Sequence, residues 1–366
     1  MEKNMRIKRK GGDMKNKLLK IMQKYQVDAY FISKYENVRY LSGYTGRDAW
    51  LLITLEGAYL LTDPRNEEQA EKECSDYKIV NWQIYGNVAS CVGELVKKNH
   101  VEKLAYEKKA VSIQLYHNLS EKVGAKLEGL DDQLEQMRSI KTHEEIHNLR
   151  CACNLACKAF EMLLNDIRVG ITEKELESKL SYYMVSMGGD TKPNFNLLIS
   201  GKRTSLLHGM PSTKSIEYGD LVLMDFGIEY RGYTSDMTRV ISVGKASEEN
   251  IKLYNTVNQM LDNCLNVIKD GVSAKEVCEA SFGTIRGTMY EPHYYSSIGH
   301  GVGLFVHEIP FLRPTSDDIL HENNVMAVEP GIFIPGKVGI HLEDNILVTK
   351  EGYENLTSVE RRLIEL

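Results

Sequence analysis

The segment LVLMDFGIEYRGYTSDMTRVISVG, residues 221–244, decides how the second half of the chain folds. Two strand-like apolar runs flank Arg231-Gly232, where glycine permits the backbone geometry of a tight turn, so the segment predicts a β-hairpin. We expect Asp225 and Asp236 to be cross-strand neighbours. Two facing carboxylates destabilise a sheet unless a proton or a cation lies between them. From this segment alone, a solvated hairpin face with unrelated acids is an equal alternative.

A second group of polar residues follows in three short motifs. His300 lies in SSIGHGVGLFVHEIP, Glu329 in MAVEPGIF and Glu343 in GIHLEDNILV. With Asp225 and Asp236 they amount to one imidazole and four carboxylates, a donor set that suits Mn²⁺ or a similar cation and that can balance two divalent ions. The sequence therefore predicts a dinuclear site, although each acid by itself is more often a surface residue and a single histidine more often structural.

Composition excludes several classes of protein. The 366 residues carry a formal net charge of −6, so the excess of positive charge expected of a nucleic-acid binder is absent. The longest apolar runs are far shorter than the ~20 residues of a membrane-spanning helix, so no membrane partner is expected. The 7 cysteines are odd in number and do not have the spacing of a disulfide framework, and the sequence shows no signal-peptide pattern. These features favour a location in the reducing cytoplasm.

The chain reads as two domains. Residues 14–132 alternate helical stretches with short apolar strands, as an α/β domain does. Residues 133–366 predict an α+β domain with an antiparallel sheet. Residues 1–13 are basic and unpatterned, and we interpret them as sequence upstream of the real start, with a basic interaction arm as the alternative.

Helical and strand patterns give the second domain its predicted elements. Helices are expected at 174–187, 247–269 and 273–287, and strands at 221–229, 233–243, 326–334 and 340–348. The helix before them carries a possible zinc set of His143, His147, Cys151, Cys153 and Cys157. Ligands of structural zinc usually come from a turn or from separate elements, so small buried residues are the favoured interpretation.

The motifs resemble those of the pita-bread-fold metallopeptidases, the group of Xaa-Pro aminopeptidase P, prolidase and methionine aminopeptidase. The similarity covers about residues 139–357, with the five family ligands in the same order and spacing. The first domain resembles the creatinase/prolidase-like amino-terminal domain through NVRYLSGYTG and LLTDPRNEEQA. The resemblance implies metal ligands at Asp225, Asp236, His300, Glu329 and Glu343.

The same resemblance implies roles for individual residues. A hydroxide bridging two metal ions is the nucleophile, and Glu329 doubles as general base. Asp236 and Glu343 bridge the ions, whereas Asp225 and His300 each bind one. His208 and His307 match the histidines that contact the substrate and steady the tetrahedral intermediate, with structural packing as their alternative. The resemblance also implies a homodimer and two divalent ions, first Mn²⁺, with Co²⁺ or Zn²⁺ as alternatives.

Three positions depart from the family pattern. Ser296 stands where a histidine is frequent, Phe333 replaces a common tyrosine, and His341 replaces an arginine two residues before Glu343. We expect His341 to face the site and to contact the substrate, because residues two apart share a strand face. Histidine holds a free dipeptide carboxylate less firmly than arginine does.

The departures favour an aminopeptidase P-like activity, in which the residue before proline is removed from longer peptides. A prolidase that cleaves Xaa-Pro dipeptides is the alternative. Two further possibilities are a metal-free enzyme, as in creatinase, and a non-catalytic binding homologue on the same fold.

Overall fold

The computed structural model describes residues 11–190 and 196–366. Residues 1–10 lie outside them, so the upstream interpretation of 1–13 stays a prediction. The chain divides into two compact units, the first extending to Arg138 and the second beginning at Ser139. Within the described ranges, no helix is long and apolar enough to cross a membrane.

The first unit alternates helices with strands. Its helices are α1 (Gly11–Tyr25), α2 (Tyr35–Ser42), α3 (Glu67–Glu73), α4 (Val88–Lys98), α5 (Ile113–Lys122) and α6 (Gln133–Ser139), the last ending at the boundary. Its strands are β1 (Ala29–Ile32), β2 (Trp50–Thr54), β3 (Ala58–Thr62), β4 (Lys78–Asn81), β5 (Lys103–Glu107) and β6 (Lys126–Leu130).

These strands form one mixed sheet in the order β4-β3-β2-β1-β5-β6. Strand β1 runs parallel to β5 and antiparallel to β2. Side chains alternate between two apolar cores, Tyr30 and Ile32 packing in one and Ala29 and Phe31 in the other. A strand whose two faces are both buried must be continuously apolar, which is why AYFI reads as a strand without polar alternation.

The second unit contains longer helices and several small sheets. Its helices are α7 (His143–Leu163), α8 (Glu173–Ser186), α9 (Glu248–Val267) and α10 (Ala274–Gly283). Its strands are β7 (Leu197–Ser200), β8 (Leu221–Phe226), β9 (Glu229–Tyr230), β10 (Tyr233–Thr234), β11 (Met237–Ser242), β12 (Tyr294–Tyr295), β13 (Gly299–Gly301), β14 (Glu308–Phe311), β15 (Val325–Val328), β16 (Gly331–Ile334), β17 (Val338–His341), β18 (Asp344–Val348), β19 (Tyr353–Asn355) and β20 (Ile364–Glu365).

The predicted hairpin is present, but the expected pairing of its two aspartates is wrong. Arg231 and Gly232, both with positive φ, connect β9 to β10, and the same register carries on into β8 and β11. In that register Asp225 pairs with Thr238. Asp236 lies two residues before Thr238, so the two aspartates are diagonal neighbours on one face, because alternate residues of a strand point the same way.

Each of the four long strands predicted for the second domain is interrupted. Residues 227–228, 235–236, 329–330 and 342–343 separate shorter strands. At each interruption the chain passes from one sheet to another, for example from the five-stranded sheet that contains β15 to the three-stranded sheet that contains β16. Asp236, Glu329 and Glu343 lie in these breaks between strands.

Helix α7 begins with a capping box, in which Thr142 accepts from the backbone N–H of Glu145 and the Glu145 carboxylate accepts in return. Cys153 and Cys157 lie on its buried face, as expected for small core residues. In the described part of the chain, the cluster of side chains able to hold a metal ion is elsewhere, so the alternative zinc set in this helix gains no support. All 7 cysteines are free thiols.

Candidate metal centre

The hairpin supplies the first two predicted ligands. Asp225 is the penultimate residue of β8, and Asp236 precedes β11 with its backbone N–H donating to Asn345 Oδ1 at 2.8 Å. Opposite Asp236 lies Gly227, where an added Cβ would come within 1.8 Å of the Ser235 carbonyl oxygen. The two arms of the hairpin can therefore approach closely at this point, because glycine has no side chain.

His300 is oriented by its own backbone neighbourhood. It lies in β13, and its Nδ1 donates to the Gly301 carbonyl at 3.1 Å, which leaves Nε2 with its lone pair toward the acids. His300 Nε2 is 3.7 Å from Asp236 Oδ2 and 3.5 Å from Glu329 Oε1. A hydrogen-bonded, oriented imidazole facing carboxylates is the usual arrangement of a metal-binding histidine.

Glu329 and His341 are in direct contact. His341 ends β17, and its Nε2 lies 3.0 Å from Glu329 Oε2. His341 is 4 % exposed, so it belongs to the interior of the site rather than to its mouth. Burial raises the pKa of Glu329, but its contacts with His341, His300 and His307 outweigh burial and hold that pKa below the usual value.

Glu343 is positioned by a threonine and an arginine. Thr238 Oγ1 donates to Glu343 Oε2 at 2.8 Å, and Arg239 Nη1 donates to the Glu343 backbone carbonyl at 2.7 Å. Arg239 is itself held by Asp344, whose Oδ1 is 2.7 Å from Nη2. Among the described residues, no hydrogen-bond donor reaches Glu343 Oε1, although that oxygen is buried.

The buried carboxylates of the site repel one another. Burial raises the pKa of Asp225 to about 6, with the charge of Glu329 adding to the effect. The pKa values of Asp236 and Glu343 are raised well above normal, first by burial and then by neighbouring carboxylates. These buried acids repel one another, and one of their oxygens lacks a hydrogen-bond donor. A divalent cation bound among them would neutralise the repulsion and supply the missing partner.

All eight predicted site residues line one cleft of about 570 Å³. His307 packs against His300 with ring centroids 4.4 Å apart, and burial, followed by the electrostatic effect of His300, lowers the pKa of His307 to about 4. His208 lies in the exposed loop after β7 and lines the same cleft. The residues in question are Asp225, Asp236, His300, Glu329, Glu343, His208, His307 and His341.

The other two residues that depart from the family pattern, Ser296 and Phe333, are not among the residues that line this cleft. Ser296 lines a separate cavity of about 480 Å³ beside Phe282 and Tyr294. Phe333 packs edge-on against His341, with ring centroids 6.1 Å apart. Ser296 thus faces away from the cleft, whereas Phe333 supports a residue that lines it.

Sequence reasoning missed two residues of the site. Thr238 could have been found from the correct hairpin register, since it alternates with Asp236 on one strand face. Arg313 could not, because it follows the end of β14 in a loop without a pattern. Its guanidinium lies 4.4 Å from the Phe311 ring centroid, its Nε donates to Ser297 Oγ at 3.2 Å, and it lines the cleft.

Two family models match the chain. Residues 147–350 match metallopeptidase family M24, and residues 15–140 match the creatinase/prolidase N-terminal domain. The chain therefore belongs to metallopeptidase family M24, and it is a hydrolase with the pita-bread fold. The predicted family resemblance and fold class are confirmed, and the family implies a metal ion and a peptide substrate.

Relatives align along nearly the full length. The Xaa-Pro dipeptidase of Pyrococcus furiosus is 35% identical over 350 residues, which are 95% of this chain and 98% of that protein. Among solved structures, an Xaa-Pro dipeptidase from Bacillus anthracis superposes with a TM-score of 0.93 at 34% identity, covering 97% of this chain and 100% of that one. An X-Pro aminopeptidase from Thermotoga maritima gives a TM-score of 0.89 at 32% identity, covering 96% and 99%.

Proposed function

We propose that this protein is a metal-dependent Xaa-Pro dipeptidase with a dinuclear centre. The proposal reverses the order expected from the sequence, where the loss of an arginine at position 341 favoured an aminopeptidase P-like enzyme. It is supported by similarity over nearly the whole chain to proteins named Xaa-Pro dipeptidase. The structural observation that carries it is Arg313 in the cleft.

Arg313 offers what a dipeptide needs and a longer peptide does not. The product-side residue of a dipeptide ends in a free carboxylate, which a guanidinium binds through parallel charge-assisted hydrogen bonds. Contacts to Phe311 and Ser297 hold the Arg313 side chain at the cleft wall. The positive charge of Arg313 also contributes to lowering the pKa of His307, which indicates that the two residues are near each other.

Asp225, Asp236, His300, Glu329 and Glu343 would hold two divalent ions, of which Mn²⁺ is the first candidate. The bound ions would supply Lewis acidity, activating a water molecule for attack and polarising the scissile carbonyl. Four carboxylates and neutral imidazoles would balance the charge of two such ions. Thr238 and Arg239 would keep Glu343 in place.

The remaining steps belong to the chain's own side chains. Glu329, which stays ionised because its pKa is held low, would accept the proton of the attacking water and pass it to the leaving proline nitrogen. His307 stays neutral at pH 7 because its pKa is about 4, so one ring N–H can donate to the developing oxyanion. His208, on the exposed loop, would bind and orient the substrate.

The test is a direct comparison of three substrates with metal-stripped protein, with and without Mn²⁺. We expect Mn²⁺-dependent release of alanine and proline from Ala-Pro, with kcat/KM roughly tenfold or more above that on Ala-Pro-Ala and on Ala-Pro amide. Mass spectrometry identifies the products. Preference for Ala-Pro-Ala would instead establish an aminopeptidase P-like activity. If none of the three substrates were cleaved, both the dipeptidase and the aminopeptidase hypotheses would be refuted.

Two arginine substitutions test whether Arg313 binds the carboxylate of a dipeptide. Arg313→Leu should reduce kcat/KM on Ala-Pro by about 10- to 100-fold, mainly through KM, since a hydrogen bond to a charged group is worth ~1.5–3 kcal/mol. Ala-Pro amide should be affected much less. Arg286→Leu is the matched control, because Arg286 is an exposed arginine of the same unit paired with Glu279.

Two further expectations accompany the proposal. A homodimer, which the family resemblance implies, is checked by light scattering of the purified protein. A cytoplasmic location agrees with 7 free cysteines and is checked by cell fractionation.

A further inference from the structure

Glu329 lies between two imidazoles. Its Oε1 is 3.5 Å from His300 Nε2, and its Oε2 is 3.0 Å from His341 Nε2. Each carboxylate oxygen therefore has its own histidine nitrogen. The side chains of both histidines are 5 % exposed, so neither nitrogen is turned toward bulk solvent.

These separations are those of neighbouring ligands on one ion. With metal–nitrogen and metal–oxygen bonds near ~2.1 Å, two ligands at a right angle are ~3.0 Å apart and two at a tetrahedral angle ~3.4 Å apart. An ion placed beside His341 Nε2 and Glu329 Oε2 would also be near Asp225, whose charge acts on His341. An ion beside His300 Nε2 and Glu329 Oε1 would be near Asp236.

The surroundings of His341 hold its ring in place. Phe333 packs edge-on against the imidazole, with ring centroids 6.1 Å apart, and His341 is only 4 % exposed. An arginine, always protonated and without a free lone pair, could not serve as a ligand at this position.

We propose that His341 is a metal ligand, so that the centre has two imidazoles rather than one, His300 near Asp236 and His341 near Asp225. The inference rests on the proposed dinuclear centre and extends it, because the ligand set becomes richer in nitrogen at the Asp225 side. A nitrogen-richer site binds borderline ions such as Co²⁺ and Zn²⁺ in preference to Mn²⁺. In this proposal His341 binds a metal ion, instead of contacting the substrate as expected from the sequence.

Histidine counting tests this directly. Full-length protein is metal-stripped, loaded with two equivalents of Zn²⁺, and examined by X-ray absorption for imidazole scattering around the ions. We expect an average of about one imidazole per ion in the unmodified protein and about one-half in His341→Arg. Calorimetric titration with Co²⁺ should show one of two binding events weakened by more than the ~10–100-fold typical of losing a supporting residue.

Controls separate the alternatives. His321→Gln removes an exposed histidine of the same unit, paired with Asp270, and should leave the imidazole count unchanged. A second variant, His341→Gln, covers the case in which the arginine variant does not fold. About one-half imidazole per ion in the unmodified protein, or a count that falls in His307→Gln but not in either His341 variant, would overturn the inference.

The readout is independent of the proposed activity. Cleavage of Ala-Pro together with a single histidine in the centre would reject the ligand role and leave the dipeptidase proposal standing. Two histidines in a protein that cleaves none of the three test substrates would do the reverse.

Discussion

Both units bury charged side chains, but they satisfy them in opposite ways. In the first unit, Glu107 accepts from the backbone N–H groups of Ser33 at 2.5 Å and Lys34 at 2.8 Å, and from the Asn37 side chain at 2.5 Å. In the second, Asp236 and Glu343 face other carboxylates, and among the described residues no donor reaches Glu343 Oε1.

The pKa values express the same contrast. Burial raises the pKa of Glu107, but hydrogen bonds from Asn37, Lys34 and Ser33 oppose that shift. For Glu343, burial and the neighbouring acids act in the same direction, and the single opposing contact comes from Thr238. A buried charge supplied with donors supports the fold, whereas buried charges left facing each other indicate that a cation belongs among them.

The largest effect should follow from removing a charge in the second unit. Asp236→Asn should lower kcat by on the order of 10³-fold or more and reduce the bound metal, because a predicted bridging carboxylate is lost. Metal-stripped Asp236→Asn should melt no lower than metal-stripped unmodified protein, since the substitution removes repulsion. Activity, elemental analysis and calorimetry measure these three quantities.

The matched control for this variant is Asp317→Asn, which alters an exposed aspartate paired with Lys275 in the same unit. Its turnover and metal content should match those of the unmodified protein. If Asp236→Asn retained full turnover, the assigned role of Asp236 would be wrong.

The opposite behaviour is expected in the first unit. Asn37→Ala should destabilise that unit by about 3 kcal/mol, because Glu107 loses a donor while staying buried. The protein has 2 tryptophans, and both Trp50 and Trp82 lie in this unit with ring centroids 6.4 Å apart, so fluorescence during urea denaturation reports its unfolding.

Asn16→Ala on α1, whose side chain is exposed, serves as the control and should change stability by less than about 0.5 kcal/mol. An equally small effect of Asn37→Ala would mean that the donors around Glu107 contribute little, and the contrast between the two clusters would fail.

The smallest expected effect is a pH dependence of the metal-stripped protein. The pKa of Asp225 in the folded state is about 6, above its value of 3.8 as a free side chain. Its contribution to stability is therefore fully present below the lower value and is lost as the pH rises through about 6. The melting temperature of the second unit should fall by about 2–4 °C for each kcal/mol lost between about pH 5 and pH 7.

Saturating Mn²⁺ should weaken or remove this dependence, because the bound ion keeps the carboxylates ionised in the folded state. Differential scanning calorimetry with and without Mn²⁺ measures it. A melting temperature that rises toward pH 7 in the metal-stripped protein would contradict the assignment of repelling acids.

Much of the fold could be predicted from local patterns. The turn at Arg231-Gly232, the helix α7 and the strands of the first unit follow from glycine geometry, a capping box and apolar periodicity. The pairing of Asp225 failed, because the positions of cross-strand partners depend on the exact centre of the turn and a small error displaces every pair.

The interrupted strands could not be predicted either. Residues 326–334 and 340–348 are continuously strand-like in sequence, yet each crosses between sheets at Glu329 or Glu343. Periodicity records which residues are apolar, but not where a chain leaves one sheet for another.

The sequence by itself determined the two-domain organisation, the family and the identity of the acids and histidines near the site, since these depend on residue type, order and spacing along the chain. Only the tertiary structure decided that Arg313 lines the cleft, that Ser296 faces away from it and that His341 lies against Glu329. These relationships join residues from different strands and loops, and their distances arise from packing of the whole unit.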